Sequence, residues 1–369
     1  MREFYSYEEI DSYNANYTVI LSSRSDGKTY GAKKKMIDNF VDNYDSEDKG
    51  TFALLRHTRE NINTSYISEF FEDINDYLQE KLKERFPEYV GFYVKPLSKV
   101  VYIYGYDENE KSFNLGKFGT FLYLTKPKQS RGRPYAKTNL SVFDECMTKE
   151  REKPDVFRQF MDIVGSVRRA KKDFRVYMLG NPENTRSQIL YEMGIDVTKL
   201  QQGTISCLKT PKGNTIAIEF VRKLKKDEED EAFYDFQNSK TAMITDGVWD
   251  IDTYPCMTED DYETIRKEHP NTCFVFIENK TYSLYAYPCK NTLYVLTNRL
   301  PNYTCQFISL GCLDTAYNRL HFNWQSPLES VRNMKNYISF MYYNCQVKYA
   351  DNMTGDSFEH FLEAANSQK

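Results

Sequence analysis

A mostly parallel α/β sheet covered by helices on both faces, followed by a smaller α+β domain, is the fold this sequence predicts. Three observations predict it. Five strand-forming residues, Tyr17-Thr18-Val19-Ile20-Leu21, run into a short polar loop and then into an apolar pattern of helical spacing. Strand-like and helix-like stretches go on alternating to about residue 222. At 223–240 the composition turns to a run of charge, Lys-Leu-Lys-Lys-Asp-Glu-Glu-Asp-Glu, and closely spaced strand patterns follow it. A chain of 369 residues allows two domains, or three. They are placed at 1–222 and 241–369, with 223–240 as a charged linker.

Residues 1–16 read as a polar lead-in, and Tyr13 and Asn14 stand where they could face an adenine. The first strand then meets Ser22-Ser23-Arg24-Ser25-Asp26-Gly27-Lys28-Thr29, which fits G-x-x-x-x-G-K-[ST] except that Ser22 replaces the first glycine. In such a loop the backbone amides, here those of Ser23, Arg24, Ser25, Asp26 and Gly27, cradle phosphates. Lys28 reaches the β- and γ-phosphates, and the Thr29 hydroxyl holds Mg²⁺. The positive end of the following helix favours the same anion. Asp26 puts a negative charge into the loop and has to point outward to spare affinity.

Met36, Ile37, Phe40, Val41 and Tyr44 give the next helix its apolar side, and Lys33-Lys34-Lys35 reads as a solvated face. The strand at 51–55 ends in Arg56-His57. One long amphipathic helix is expected through Ile62, Tyr66, Ile67, Phe70, Phe71, Ile74, Leu78 and Leu82. Two β-rich stretches, 90–106 and 113–125, precede a basic loop at 126–134. Leu140-Ser141-Val142-Phe143 is a short buried strand ending in Asp144-Glu145. A helix at 153–170, apolar through Val156, Phe160, Ile163, Val164 and Val167, runs into Arg168-Arg169. The strand at 174–179 stops at Gly180-Asn181-Pro182, and 203–222 holds two more. In the second domain, strands are expected at 273–278, 282–287, 292–297 and 303–309, and helices at 328–343 and 356–365.

Composition limits the functions open to this chain. Mean hydropathy is −0.67 and no run approaches the roughly 18 apolar residues of a membrane span. The first residues lack a signal-peptide core. The eight cysteines form no C-x-x-C pair and are expected as reduced, buried small residues on strands rather than a zinc site. A net charge of −4 argues against a protein that coats nucleic acid, while permitting a local grip on it. Thirty tyrosines against two tryptophans have no mechanism at this level.

The chemistry gathers at strand ends. Asp144-Glu145, following the phosphate loop with strands between, fits the second part of an ATP site. Asp144 would hold the metal with Thr29, and Glu145 would polarise the attacking water. Asn181 is placed to touch the γ-phosphate or the water, though a Gly-Asn-Pro turn needs no function. Arg168 and Arg169 suit a helix C-terminus in any case, and are also candidates for an arginine finger acting on a neighbour's nucleotide. Lys128, Arg131 and Arg133 of the basic loop are candidate contacts to phosphates of DNA or of a neighbour's nucleotide, though a solvated loop needs no such role, and Arg56 is a second candidate phosphate contact.

With Ser22–Thr29, Leu140–Glu145, Arg168-Arg169 and Val176–Asn181 in this order, the chain resembles the DNA-packaging ATPases of small tailed phages. More narrowly, it resembles the encapsidation proteins of podoviruses that prime replication with a protein. The resemblance covers about the first 220 residues. It implies a P-loop ATPase fold of the additional-strand type, close to large terminases and the FtsK–HerA translocases. It implies ATP and Mg²⁺ as cofactors and a homomeric ring, taken as five subunits, with double-stranded DNA in the pore. The ring would dock on the portal of an empty capsid in the host cytoplasm, with a structural packaging RNA as a further partner the family allows. The second domain would be a ribonuclease H-type fold without activity, since Glu278, Asp314 and Asp351 do not align into a metal cluster.

Two other classes compete. A cellular helicase or conjugation-type translocase shares the chemistry, but no helicase motif separates the loop from Asp144. A nucleotide-binding assembly protein of the virion would have no need of Glu145.

Overall fold

The structure is a computed structural model that describes residues 3–58, 64–125, 135–148, 155–169, 171, 173–182, 187–225, 254–268, 272–279, 282–301, 304–309, 321–323 and 329–367. The chain divides into two compact units, Met1–Asp250 and Ile251–Lys369. Beyond Lys225 the expected linker lies outside the described residues, as do Lys128, Arg131 and Arg133.

Nine described strands build the first unit: β1 Tyr17–Leu21, β2 Thr51–Arg56, β3 Gly91–Leu97, β4 Val100–Tyr106, β5 Ser112–Tyr123, β6 Thr138–Phe143, β7 Arg175–Gly180, β8 Thr204–Lys209 and β9 Thr215–Phe220. They lie in the order β3-β4-β5-β2-β6-β7-β1-β9-β8. The six from β5 to β9 run parallel, and antiparallel strands close both edges. A parallel strand is covered on both faces, which is why β1 is buried at all five positions instead of alternating. Helix Lys28–Asp42 covers one face with Met36, Ile37 and Phe40. Helix Val156–Arg168 covers the other with Phe160, Ile163, Val164 and Val167.

Register decides what meets at the edge. Leu21 is level with Gly180 and Phe220, Phe143 with Met178 and Leu55. The carboxyl ends of β1, β2, β6 and β7 therefore share one edge, the place where open α/β sheets gather ligands. β7 lies between β1 and β6, so one additional strand separates the phosphate-loop strand from the strand ending in Asp144.

Three expectations need correction here. The long helix is broken into Thr64–Glu69, a 3₁₀ turn Glu72–Ile74, and Asn75–Arg85. The break falls at Phe70-Phe71, whose rings meet edge to face 4.9 Å apart, both buried. Turning both into the core recovers roughly 1.5–3 kcal/mol for each, more than a lost helical bond. The lead-in is not simply polar: Tyr5, Tyr7 and Ile10 are core residues, and Glu8–Ser12 makes one helical turn. Nor is Lys33-Lys34-Lys35 a solvated face. Lys33 is buried against Phe70 and pairs with Asp73 at 2.7 Å, and Lys35 pairs with Asp11.

The second unit holds β10 Thr272–Asn279, β11 Tyr282–Pro288, β12 Leu293–Leu296, β13 Thr304–Ser309, β14 His321–Asn323 and β15 Val347–Tyr349, in the order β14-β13-β10-β11-β12-β15. β10, β11 and β12 form an antiparallel meander, with β13 and β14 added in parallel beyond β10. Helices Glu329–Tyr343 and Asn352–Ser367 pack Val331, Ile338, Phe358 and Phe361 on the sheet. Helix Glu259–Glu268, β14 and β15 were not expected. The two strands are three residues long, and the helix buries only Asp261 and Ile265 of an acidic run. Cys146, Cys273 and Cys289 are buried as expected, but Cys207, Cys256 and Cys345 are exposed. No described helix is long and apolar enough to cross a membrane.

Candidate active site

The site is built where β1 stops. Gly27 is left-handed at φ 86° and caps the helix Lys28–Asp42, whose first amides open onto the loop. A side chain at Gly27 would need that φ and would place its Cβ 3.1 Å from Phe4, so glycine is required here. The lead-in straps the loop from outside: the Tyr5 amide donates to the Asp26 carbonyl at 2.8 Å, and the Tyr7 hydroxyl donates to the Lys28 carbonyl at 2.7 Å. The Tyr5 hydroxyl donates to Glu219 on β9 at 2.6 Å. Burial first, then that carboxylate, raises the Tyr5 phenol far above its usual pKa.

Lys28 is buried inside the loop. Its ammonium donates to the Ser22 carbonyl at 3.0 Å, the Ser22 hydroxyl at 2.9 Å, the Ser23 carbonyl at 2.8 Å and Asn181 Oδ1 at 3.0 Å. The departure at Ser22 thus supplies a ligand for the lysine. Asn181, at the tip of β7, joins the same ammonium. Asp26 does not point outward as expected. It is 2% exposed and accepts from the Ser23 hydroxyl at 2.9 Å, so its charge is folded into the loop. Arg24 and Ser25 form the outer turn, with Ser25 left-handed at φ 61°.

Thr29 and Asp144, 115 positions apart in the chain, meet: the threonine hydroxyl donates to Asp144 Oδ1 at 3.0 Å. The Asp144 amide is pinned to Leu55 of β2, and the Cys146 amide to Leu179 of β7. Between them Glu145 adopts φ 54°, a costly conformation for a non-glycine residue that marks a site held under constraint. The Asp144 side chain is only 4% exposed, while that of Glu145 is 55% exposed and reaches the open edge.

Arg56 was expected among DNA contacts, but the structure puts it in this site. One guanidinium nitrogen pairs with Asp144, the other with Glu145 at 2.7 Å, and the group lies 4.9 Å over the Tyr66 ring. Burial would lower its pKa, but Asp144 foremost, then Tyr66 and Glu145, outweigh that and raise it. The sequence carried one signal for this role: a cation at the end of an apolar strand. The neighbouring His57 is held below its usual pKa by burial, with its Nε2 3.2 Å from the Cys146 carbonyl.

Other candidates fall elsewhere. Arg168 and Arg169 end the helix that leads into β7, so they lie at the opposite edge of the sheet, where Arg168 reaches the Lys171 carbonyl and Asn214. Tyr13 and Asn14 precede β1 and lie at that far edge too, with Asn14 accepting from Arg175. They do not face the loop.

No family model matches this sequence, and no curated protein matches it. In three dimensions the chain is similar to the Phi-28 gp11 DNA packaging motor, with a TM-score of 0.55, 15% identity and all of both chains covered. It is similar as well to the bacteriophage Phi-29 viral genome packaging motor assembly, with a TM-score of 0.60 and 14% identity over 98% of this chain and 99% of that one. At these identities the likeness is one of fold.

Proposed function

We propose that this chain is the ATPase of a viral genome-packaging motor, driving double-stranded DNA into a preformed capsid. The observation that carries the reading is the 3.0 Å contact of Thr29 with Asp144, which joins the phosphate loop to the acid pair at one sheet edge. The strand between them, with Asn181 just past its end, supports an additional-strand ATPase, and the fold shared with two packaging motors supports the motor.

Lys28 binds the β- and γ-phosphates, exchanging its contacts with Ser22 and Ser23 for theirs. Thr29 and Asp144 are hard oxygen donors, and Mg²⁺ needs only one or two such groups beside phosphates and waters. Bound there, Mg²⁺ would supply charge neutralisation at the terminal phosphates. Glu145 orients the attacking water and takes its proton; to do so its carboxylate must be released from Arg56. Asn181 exchanges the Lys28 ammonium for the γ-phosphate or the water. Catalysis of this kind is positioning and electrostatics.

Arg168 and Arg169 lie a strand's length from their own site, about 20 Å by strand rise, so they serve only a neighbour in a ring. The ring, taken as five subunits, carries DNA in its pore and docks on a portal, with a structural RNA as a further partner. The second unit is read as a nuclease-type fold without activity, gripping DNA or the portal. Asp351 supports this: it caps Asn352–Ser367 by accepting from the Thr354 amide at 2.7 Å and hydroxyl at 2.8 Å. The Glu278 side chain and Asp314 lie outside the described residues.

ATP hydrolysis by the purified chain, assayed with and without linear duplex DNA, tests the reading. Hydrolysis that rises several-fold with duplex is expected. Hydrolysis indifferent to DNA would count against a DNA motor, and ATP bound without hydrolysis would favour the assembly-protein alternative.

A further inference from the structure

Four of the thirty tyrosines have a placement that neither the ATP site nor the core accounts for. β3, β4 and β5 form an antiparallel meander at one edge of the large sheet. One face packs into the core through Phe92, Val101 and Ile103. The other carries Tyr93, Tyr102, Tyr104 and Tyr106, none of them buried. Across the ladder they make rows. Tyr102 stands between Lys95 and Lys117, and Tyr104 stands between Tyr93 and Asn114. The Tyr93 and Tyr104 rings stack, 5.4 Å apart and 17° from parallel, and the Tyr106 ring lies across Gly91, where a Cβ would come within 2.3 Å of its hydroxyl.

Lys95 and Lys117 are the charged residues of these three strands, and the strands carry no acid. Lys99 in the first hairpin turn lies over the Tyr123 ring on the core face, and Asp107, Glu108 and Glu110 stand at the far turn beyond Tyr106. A cross-strand tyrosine pair stabilises a sheet on its own account. That does not explain half-buried rings beside lysines that join neither core cluster of the described residues.

We propose that this face binds single-stranded nucleic acid, with bases stacked on the tyrosine rows and phosphates on Lys95 and Lys117. Rings offer a platform to any unpaired base, and the ammonium groups take the backbone charge. A duplex has its bases already stacked and cannot use the rings. Rows on one face repeat about every 7 Å along the strands, which suits successive bases of an extended strand. The inference does not rest on the ATPase reading and is tested without nucleotide.

The test is fluorescence anisotropy of the full chain with labelled oligo(dT), oligo(U) and a duplex, each about 12 units long, at two salt concentrations. Single strands should bind about tenfold or more tighter than the duplex, and Tyr93→Ala with Tyr104→Ala should weaken them roughly 10–100-fold. Tyr93→Phe with Tyr104→Phe should keep the affinity, because stacking needs the ring and not the hydroxyl. Lys95→Glu with Lys117→Glu should weaken binding and flatten the salt dependence by about one to two phosphates' worth. If the alanine pair does not fold, the phenylalanine and glutamate pairs still decide. Equal binding of duplex and single strands, or binding untouched by loss of the rings, would overturn the proposal. So would no binding of any oligonucleotide, which would leave the face to a protein partner.

Discussion

At the scale of single residues, the site is held by charge in an enclosed place. Asp144 is almost wholly buried, and Arg56 is the cation that makes that burial tolerable. Removing the cation leaves a buried carboxylate beside a second acid. Arg56→Met should therefore cost roughly 3–5 kcal/mol in urea unfolding. Mg²⁺ should restore more stability to the variant than it adds to the wild type, because it can stand beside Asp144 in place of the guanidinium. An equal response to Mg²⁺ in both proteins would remove Asp144 from metal binding. Lys28, Thr29, Asp144, Glu145 and Asn181 were legible in the sequence because each follows a strand with a recognisable pattern. Arg56 was legible only as a cation. Its strand gives no hint of which neighbour it will lie beside, and that neighbour decides what the guanidinium meets. Asp26 was misjudged for a related reason: nothing local shows that Ser23 will turn to meet it.

Elements were legible where periodicity runs long enough to read. The strands β1, β2, β6, β7, β8 and β9 and the helices Lys28–Asp42 and Val156–Arg168 fall where apolar spacing placed them. The long helix through Phe70-Phe71 looked continuous because its apolar residues keep helical spacing across the break. Only the core shows that both rings have to turn inward. The helix Glu259–Glu268 was hidden because a buried acid holds its start. Asp261 accepts from the Thr258 amide at 2.9 Å and hydroxyl at 3.0 Å, from Lys348 at 2.9 Å and from Tyr294 at 3.1 Å. Burial would raise its carboxyl, but these donors outweigh it and hold the pKa at about 2. Since the folded value lies below the ordinary 3.8, the contribution is present above 3.8 and is lost as the pH falls through about 2. Asp261→Asn should lower the thermal midpoint at pH 5 and flatten its decline towards pH 2. An unchanged acid limb would place the titrating group elsewhere.

Over the whole molecule, topology sets what one subunit can do alone. The acid pair and the phosphate loop share the carboxyl edge of the sheet, while Arg168 and Arg169 lie at the amino edge, out of reach of their own site. Subunits carrying Lys28→Ala, mixed with subunits carrying Arg168→Ala and Arg169→Ala, should recover part of the hydrolysis that each lacks alone. No recovery at any mixing ratio would count against an arginine supplied across subunits. The central claim is that the loop at the tip of β1 and Asp144-Glu145 at the tip of β6 make one hydrolytic site. Its most direct test is Glu145→Gln, with ATP binding and turnover measured on the same preparation. Binding should stay within about twofold of wild type while turnover falls by roughly 10²-fold or more, the scale of a lost general base. Turnover that persists with the glutamine in place would contradict the account.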